Sequence, residues 1–337
     1  MFQTTSRCCL SLASSSLRHG IVVTIVAGVT LFASQTFAWT VKSRELVDIE
    51  IASNGSVMVL VSAPGAAAPG LYEWKSSAAE PVKLCAIDSP ASFSFDRRTV
   101  IERVRGEHDS LRLYDSARCT QRGQIETGGR VQDADASAGF VAVAVLYGNE
   151  ERALELFTRR GKRIATADIG RNVELGFAPD GKTLVNFDLG DTTHATWQLP
   201  SLRSVKTALW INSDEIAFIP GVPFVKRYAD GALSIMHWVS GKPKYVAPVA
   251  RTVRVRQLSR NGRYGVTHES VADGDLVEWF DFATGFRAKL GVGSIDHAAI
   301  SANGTKVAWS QRSGVPGDEV TVWRATITAP GIVQPEP

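Results

Sequence analysis

Residues 177–184 read Phe-Ala-Pro-Asp-Gly-Lys-Thr-Leu, and they are the clearest copy of a pattern that recurs along the chain. The pattern is an apolar residue, a small residue, a variable position, Asp or Asn, Gly, a polar residue and then an apolar run. Asp-Gly and Asn-Gly supply the positive φ that a tight two-residue turn requires, and the flanking apolar residues are typical of paired strands. Each copy therefore predicts one β-hairpin.

Seven copies of this pattern occur, and their opening apolar residues are about 42 positions apart, except that the fourth interval is shorter and the fifth longer, which together make about two periods. The copies lie at residues 51–57, 93–100, 136–141, 177–184, 210–216, 258–264 and 300–307. Each copy is followed by a second strand-rich half, so one period contains two hairpins and forms a four-stranded sheet. Such a sheet can bury both of its faces only if successive sheets stack on one another around an axis. The sequence predicts an all-β fold, a seven-bladed β-propeller of four-stranded antiparallel blades. Two β-sandwiches are the alternative, but the repeat continues at the same period along the chain, which argues against them.

The two ends of the repeat region predict how the ring closes. Residues 39–46 form a strand-like segment before the first copy, while the last copy leaves room for about three strands. We therefore expect the N-terminal strand to complete the last blade, which protects an otherwise bare sheet edge. The single propeller domain is expected to span residues 39–328, and residues 329–337 are expected to form a disordered tail.

The first 38 residues have the order of a secretory signal peptide. Arg7 and Arg18 precede an uncharged apolar run at residues 21–33, and Thr36 and Ala38 supply small side chains for cleavage after Ala38. The run is short of the roughly 20 residues of a permanent span, so no stable membrane span is expected after cleavage. An uncleaved anchor is the alternative. We expect a periplasmic or secreted protein.

Charge and cysteine content narrow the classes of partner. Cleavage after Ala38 removes two arginines and no acid, which changes the formal charge from +3 to about +1. A chain so close to neutral does not favour nucleic-acid binding.

Two cysteines, Cys85 and Cys119, remain after cleavage. They are 34 positions apart, which places them in neighbouring blades. Export favours a disulfide between them, and two unrelated thiols are the alternative.

Residues 277–290 read Val-Glu-Trp-Phe-Asp-Phe-Ala-Thr-Gly-Phe-Arg-Ala-Lys-Leu and resemble the third and fourth strands of a WD-repeat blade. Residues 258–264 resemble that blade's second-strand entry, and similar pairs cover nearly all of residues 40–328. Neither Gly-His nor Trp-Asp occurs in residues 39–337, so the chain is more similar to bacterial exported propellers with WD-like or Tol-system-like repeats. The resemblance implies a binding platform.

The positions before the opening residue of each copy begin the innermost strands, near one mouth of the central channel. Three residues before it, or four in the case of Gln132, stand Asp48, Pro90, Gln132, Glu174, Thr207, Val255 and His297. Polar groups on a concave mouth are typical of ligand recognition. The candidate binding residues are therefore Asp48, Gln132, Asp133, Glu174, Arg254, Arg256 and His297. The alternative is that these side chains are solvated strand ends or pair with one another.

No catalytic residue, metal or cofactor is predicted. Asp48, Glu174 and His297 are metal-donor types, but their sequence spacing does not indicate a site. Neither a G-x-S-x-G elbow nor a glycine-rich phosphate loop occurs. The sequence favours a non-catalytic scaffold that binds another cell-envelope or extracellular protein or peptide. The alternative is a channel-mouth enzyme, metal-assisted and lactonase-like or hydrolase-like, whose acids would include Asp133.

Overall fold

The computed structural model describes most of one compact unit, Leu31–Pro337. The described residues are 38–42, 46–62, 68–94, 97–170, 173–188, 194–205, 216–219, 222–229, 231–238, 240–249, 252–271, 274–312, 319–328 and 332–335. The expected signal peptide up to residue 37, Thr207 and residues 210–215 of the fifth copy lie outside them. No helix of the described residues is long and apolar enough to cross a membrane.

The described strands form seven antiparallel sheets, the blades of a β-propeller, and confirm the predicted fold class. Blade 1 contains β2 (Leu46–Ile51), β3 (Val57–Val61), β4 (Gly70–Trp74) and β5 (Val82–Ala86). Blade 2 contains β6 (Pro90–Phe93), β7 (Thr99–Val104), β8 (Ser110–Asp115) and β9 (Gln121–Glu126). Blade 3 contains β10 (Arg130–Ala136), β11 (Phe140–Leu146), β12 (Arg152–Thr158) and β13 (Arg163–Asp168). Blade 4 contains β14 (Val173–Phe177), β15 (Thr183–Asp188), β16 (His194–Gln198) and β17 (Arg203–Ser204).

The remaining three blades complete the ring. Blade 5 contains β18 (Ile216–Phe218), β19 (Phe224–Ala229), β20 (Ala232–His237) and β21 (Pro243–Pro248). Blade 6 contains β22 (Val253–Leu258), β23 (Tyr264–Val271), β24 (Gly274–Asp281) and β25 (Phe286–Val292). Blade 7 contains β26 (Ala298–Ile300), β27 (Lys306–Arg312), β28 (Glu319–Thr328), β1 (Ala38–Lys42) and β29 (Ile332–Pro335).

The core lies between the blades. Each of seven apolar clusters joins two successive blades. In β3, Val57, Val59 and Val61 pack toward blade 7, whereas Met58 and Leu60 pack toward blade 2. Because both faces of a blade are covered, such a strand is continuously apolar and not alternating. Each buried aliphatic side chain stabilises the stack by about 2 kcal/mol.

The N-terminal strand closes the ring, as the sequence predicts. β1 pairs with β28 from Ala38, opposite Trp323, to Lys42, opposite Glu319. Leu46 belongs to β2 of blade 1, so the predicted segment 39–46 contributes to both blades. Arg324 of β28 reinforces the junction, because its guanidinium donates to Ala78 O of blade 1 at 2.8 Å and lies 4.3 Å from the Trp74 ring centroid.

One prediction about the chain path is wrong in detail. The hairpin of the 177–184 copy is not a two-residue turn: Ala178 N donates to Thr183 O, and Gly181 N donates back to Ala178 O. Only Gly181 has positive φ, at 63°, while Asp180 accepts from Lys182 N with its carboxylate and so fixes the turn without leaving the right-handed region. Within the segment 329–337, β29 pairs with β28 from Ile332, opposite Thr328, to Pro335, opposite Ala325.

A disulfide joins Cys85 and Cys119, whose Cα atoms are 6.2 Å apart. Cys85 lies on β5, the outer strand of blade 1, and Cys119 lies in the turn between β8 and β9 of blade 2. The structure therefore contains the bridge between neighbouring blades that the spacing of the two cysteines suggests. It links blades 1 and 2 at the border of the apolar cluster between them, against which both cysteines pack.

Candidate functional site

The first turn of blade 2 brings an arginine to two carboxylates of blade 1. Arg97 lies between β6 and β7; its guanidinium contacts Asp48 Oδ2, and its Nε lies 3.4 Å from Glu50 Oε2. His297, beside β26 of blade 7, approaches Asp48 Oδ1 with Nδ1 at 3.6 Å. These side chains are between 15% and 27% exposed, so solvent screens them only in part. Three blades therefore contribute to one charged cluster in the channel.

Arg97 stands where the clear copies of the repeat carry glycine. Its φ is 58°, and the equivalent Gly181 and Gly262 have φ of 63° and 72°. A side chain in this left-handed region costs roughly 1 kcal/mol or more, and such strain is concentrated at functional sites. The ion pairs to Asp48 and Glu50 offset this cost.

The two carboxylates of blade 1 respond differently to Arg97. Burial raises the pKa of Glu50 to about 7, because the attraction of Arg97 offsets it only in part and Asp48 adds to the rise. Burial also opposes ionisation of Asp48, but Arg97 and His297 outweigh it and hold the pKa of Asp48 below its usual value. One arginine thus keeps Asp48 ionised and leaves Glu50 near its titration point at neutral pH.

Blade 3 contributes two more carboxylates, which bind the backbone of blade 4. Asp133 Oδ2 accepts from Leu175 N at 2.6 Å, and Asp135 Oδ2 accepts from Phe177 N at 2.9 Å. Burial raises the pKa of Asp133, and the neighbouring Glu174 adds to the rise. These carboxylates join adjacent innermost strands, while Glu174 is exposed. We define the acidic sector as Asp48, Glu50, Asp133, Asp135 and Glu174.

Blades 5 and 6 carry the opposite charge. Lys226 of β19 lies on the blade 5 face that packs against blade 6, and its Nζ donates to Val255 O at 3.1 Å. Arg254 and Arg256 flank Val255 on β22 and are exposed. Arg256 Nε donates to Nδ1 of the buried His268 at 2.8 Å. We define the basic sector as Lys226, Arg254 and Arg256.

The charges of the basic sector act on one another. Burial, followed by the repulsion of Arg256 and Arg254, lowers the pKa of Lys226 to about 8. Burial and Arg256 lower the pKa of His268 to about 4. His268 is therefore neutral at physiological pH and serves as a hydrogen-bond acceptor for Arg256. Lys226 bonds to Val255, which stands between the two arginines on β22, so the three cations lie in one region, in agreement with this repulsion.

The candidate residues from the sequence fall into three groups in the structure. Asp48 and His297 meet, Asp133 and Glu174 are neighbours, and Arg254 and Arg256 share β22. Gln132 lies at the bulge of β10, where its buried Oε1 has no hydrogen-bond partner among the described residues.

Sequence reasoning missed Glu50, Arg97, Asp135, Lys226 and His268. A signal existed for Arg97, which replaces the turn glycine, and for Glu50 and Asp135, which stand one residue before the opening apolar residue. No repeat position singles out Lys226 or His268, because both lie on second strands and not at the repeated turn or in the innermost strands. Their role depends on which neighbouring blade they face.

The acidic sector suits structural hydrogen bonding better than metal ligation. Asp48 is paired with a guanidinium, and Asp133 and Asp135 are bonded to backbone NH groups. Among the described ranges, no group of three His, Cys, Asp or Glu side chains is placed to hold a metal ion.

No family model and no curated protein sequence matches the chain. Solved structures do match. A chain in the crystal structure of the mitotic checkpoint complex aligns with a TM-score of 0.54 and 14% identity, over 93% of this chain and 99% of that one. The WD40 β-propeller domain of Doa1 aligns with a TM-score of 0.52 and 12% identity, over 86% of this chain and 96% of that one. At these identities the likeness shows the WD40-type propeller fold.

Proposed function

We propose that this chain is an exported, non-catalytic propeller that binds a protein or peptide of the cell envelope or extracellular space. The observation that carries the proposal is the distribution of charged side chains at the mouth of the channel. There, rigid strands present an exposed basic sector, while most carboxylates of the acidic sector already hold the scaffold together. Asp48, Asp133 and Asp135 are committed to Arg97 or to backbone NH groups, and at these carboxylates this favours recognition over proton transfer. The WD40-type fold agrees with an interaction scaffold, although fold alone does not define function.

Site-specific photo-crosslinking in intact cells tests the binding function. A photoreactive residue in place of Thr252, which is exposed just before β22, is expected to give one discrete protein adduct. The matched control is the same substitution at Ile164, which is 39% exposed on the outer strand β13 of blade 3. Adducts of equal yield and identity at both positions would contradict recognition at the mouth.

Metal content tests the non-catalytic role against the enzyme alternative. We expect protein purified without chelators to hold no stoichiometric Ca²⁺ or Zn²⁺ by elemental analysis. Stoichiometric metal that is lost on Glu174→Gln or His297→Asn would overturn the scaffold and favour a metal-assisted hydrolase.

Export is tested on the protein isolated from its own cells. Cleavage after Ala38 leaves Trp39 as the first residue, and the denatured protein then has no free thiol because Cys85 and Cys119 are oxidised. N-terminal sequencing and thiol titration measure both. A chain that still begins upstream of residue 38, or two titratable thiols, would contradict the proposed location.

A further inference from the structure

Arginines elsewhere in the described chain are commonly paired with carboxylates. Eight of them have an Asp or Glu oxygen within ion-pair distance: Arg97, Arg103, Arg112, Arg122, Arg163, Arg263, Arg287 and Arg312. Six of these pairs are formed within one blade or between its turns and strands, so the repeat itself supplies the partner. Local pairing is therefore the ordinary arrangement of cations on this surface.

The basic sector departs from that arrangement. Within the described ranges, no carboxylate forms an ion pair with Lys226, Arg254 or Arg256. The acceptors they do meet are neutral, namely Val255 O for Lys226 and Nδ1 of His268 for Arg256. These hydrogen bonds fix the positions of Lys226 and Arg256 without reducing the net charge, and the side chains of Arg254 and Arg256 are exposed to solvent.

The nearest acids are committed to other groups. Asp275 and Asp296 act on Arg256 at longer range, but Asp275 Oδ1 accepts from Ser270 Oγ at 2.7 Å. Asp296 Oδ2 accepts from Arg312 Nε at 2.8 Å. Neither carboxylate compensates the basic sector directly.

We propose that Lys226, Arg254 and Arg256 form a docking site for the carboxylate groups of an acidic peptide segment. The inference rests on the proposed binding function and names the chemistry of the segment. Arginine binds a carboxylate through two parallel N–H···O bonds, and lysine adds a point charge from the adjacent blade. A bound carboxylate would also relieve the mutual repulsion of the three cations, which favours binding further.

The acidic sector favours a peptide over a continuous polyanion. Asp48, Asp133 and Glu174 lie on the innermost strands of blades 1, 3 and 4, around the same channel as the basic sector. A nucleic acid or polyphosphate has negative charge along its whole length and would meet these carboxylates where it extended from blade 5 to blade 4, or past blade 7 to blade 1. A peptide can place its carboxylates at blades 5 and 6 only, and neutral or basic residues elsewhere.

Fluorescence anisotropy with a labelled peptide of about ten residues, half of them glutamate, tests the site on the mature protein. We expect saturable binding that weakens as ionic strength rises from about 50 to about 200 mM, because exposed ion pairs are screened. The double substitution Arg254→Ser and Arg256→Ser is expected to weaken binding at least about tenfold. Lys226→Met should weaken it severalfold on its own.

A control variant with the same change in charge separates a site from general attraction. Arg105→Ser combined with Arg260→Ser removes two exposed arginines for which the described structure shows no carboxylate partner, one on blade 2 and one on the opposite end of blade 6. We expect this variant to bind within about twofold of the unaltered protein. Equal weakening in both double variants would overturn the proposal, as would tighter binding of inorganic polyphosphate than of the peptide.

The outcome can be distinguished from failure of the proposed function. If the glutamate-rich peptide does not bind but the crosslink at Thr252 persists, the mouth recognises a partner of different chemistry and the docking site proposed here is wrong. If neither is observed, both proposals are wrong. Circular dichroism of each variant checks that the blades remain folded. The same fluorescent peptide with every glutamate replaced by glutamine measures the binding that does not depend on charge.

Discussion

Arg97 and Arg256 lie on innermost parts of the ring and meet opposite surroundings. Arg97 reaches from a turn of blade 2 to Asp48 and Glu50, so its charge is neutralised within the protein. Arg256, at the bulge of β22, donates to neutral His268 and stands beside Arg254 and Lys226. Both arginines are fixed by neighbours, yet only one is compensated.

The difference separates charge that stabilises the fold from charge that is available to a ligand. Removing one partner of a buried ion pair leaves the other uncompensated in a poorly solvated place, which is strongly destabilising. Removing one of several like charges relieves repulsion and costs the fold little. Substitution should therefore lower the free energy of unfolding strongly at Arg97 and little in the basic sector. Four measurements test this difference.

The largest effect is expected at Arg97. Arg97→Met removes the guanidinium from between Asp48 and Glu50 and should lower the free energy of unfolding by about 3 kcal/mol in urea titrations. Arg97→Gly removes the same charge but restores the turn residue of the other copies, so it should be less destabilising than Arg97→Met by roughly 1 kcal/mol. Arg105→Met is the control, expected within about 0.5 kcal/mol of the unaltered protein. A loss of less than about 1 kcal/mol in Arg97→Met would mean that the pair is not structural.

The next effect is the pH dependence caused by Glu50. Its pKa is about 7 in the folded protein and 4.5 in the absence of the fold, so the folded state holds the proton more tightly. Its contribution to stability is complete below pH 4.5 and is lost as pH rises toward 7. Relative to the unaltered protein, Glu50→Gln should gain about 2 kcal/mol between about pH 5 and pH 8. A constant difference between the two proteins would show that Glu50 is not held protonated.

A smaller effect is expected on His268. Arg256→Ser removes the largest charge effect on the imidazole, so the pKa of His268 should rise from about 4 by roughly one unit, as measured by NMR titration. Burial remains and keeps the pKa below the ordinary value of 6.5. Arg260→Ser, on the same blade but at the turn end of β22, should leave the titration unchanged. An unchanged pKa of His268 in Arg256→Ser would mean that Arg256 does not act on His268.

The smallest effect is expected on the stability of the basic sector itself. The double substitution Arg254→Ser and Arg256→Ser should change the free energy of unfolding by no more than about 1 kcal/mol, because both side chains are exposed and no described carboxylate loses its partner, and the relief of repulsion offsets part of the lost hydrogen bond to His268. Thermal and urea unfolding at neutral pH measure it. A loss comparable to that of Arg97→Met would mean that these arginines hold the blades together, and the contrast between the two regions would disappear.

Much of the fold is predictable because each repeat specifies its own local structure. The hairpin signal at residues 177–184 recurs often enough to count the blades, and the excess strand before residue 51 identifies the closure by β1. The turn geometry was less predictable, because the side chain of Asp180 and the glycine after it support a longer turn than Asp-Gly usually indicates. The pairing of β29 with β28 has no signal in the repeat, because β29 follows the last copy.

The sequence predicted part of the candidate site as well, namely residues of the innermost strands, but not the contacts between blades. The repeat register identified Asp48, Asp133, Glu174, Arg254, Arg256 and His297 as residues of the innermost strands. It did not indicate that Arg97 crosses from its own blade to Asp48, or that Lys226 reaches Val255 on the next blade.

The sequence alone determined the all-β repeat, the number of blades and the closing strand, because strands and turns depend on residues adjacent in the chain. Only the tertiary structure decided which charges meet, because neighbouring blades bring together residues separated by about one period of the repeat or more. Compensation at Arg97 and its absence at Arg256 follow from those contacts between blades, and from no property of either arginine taken by itself.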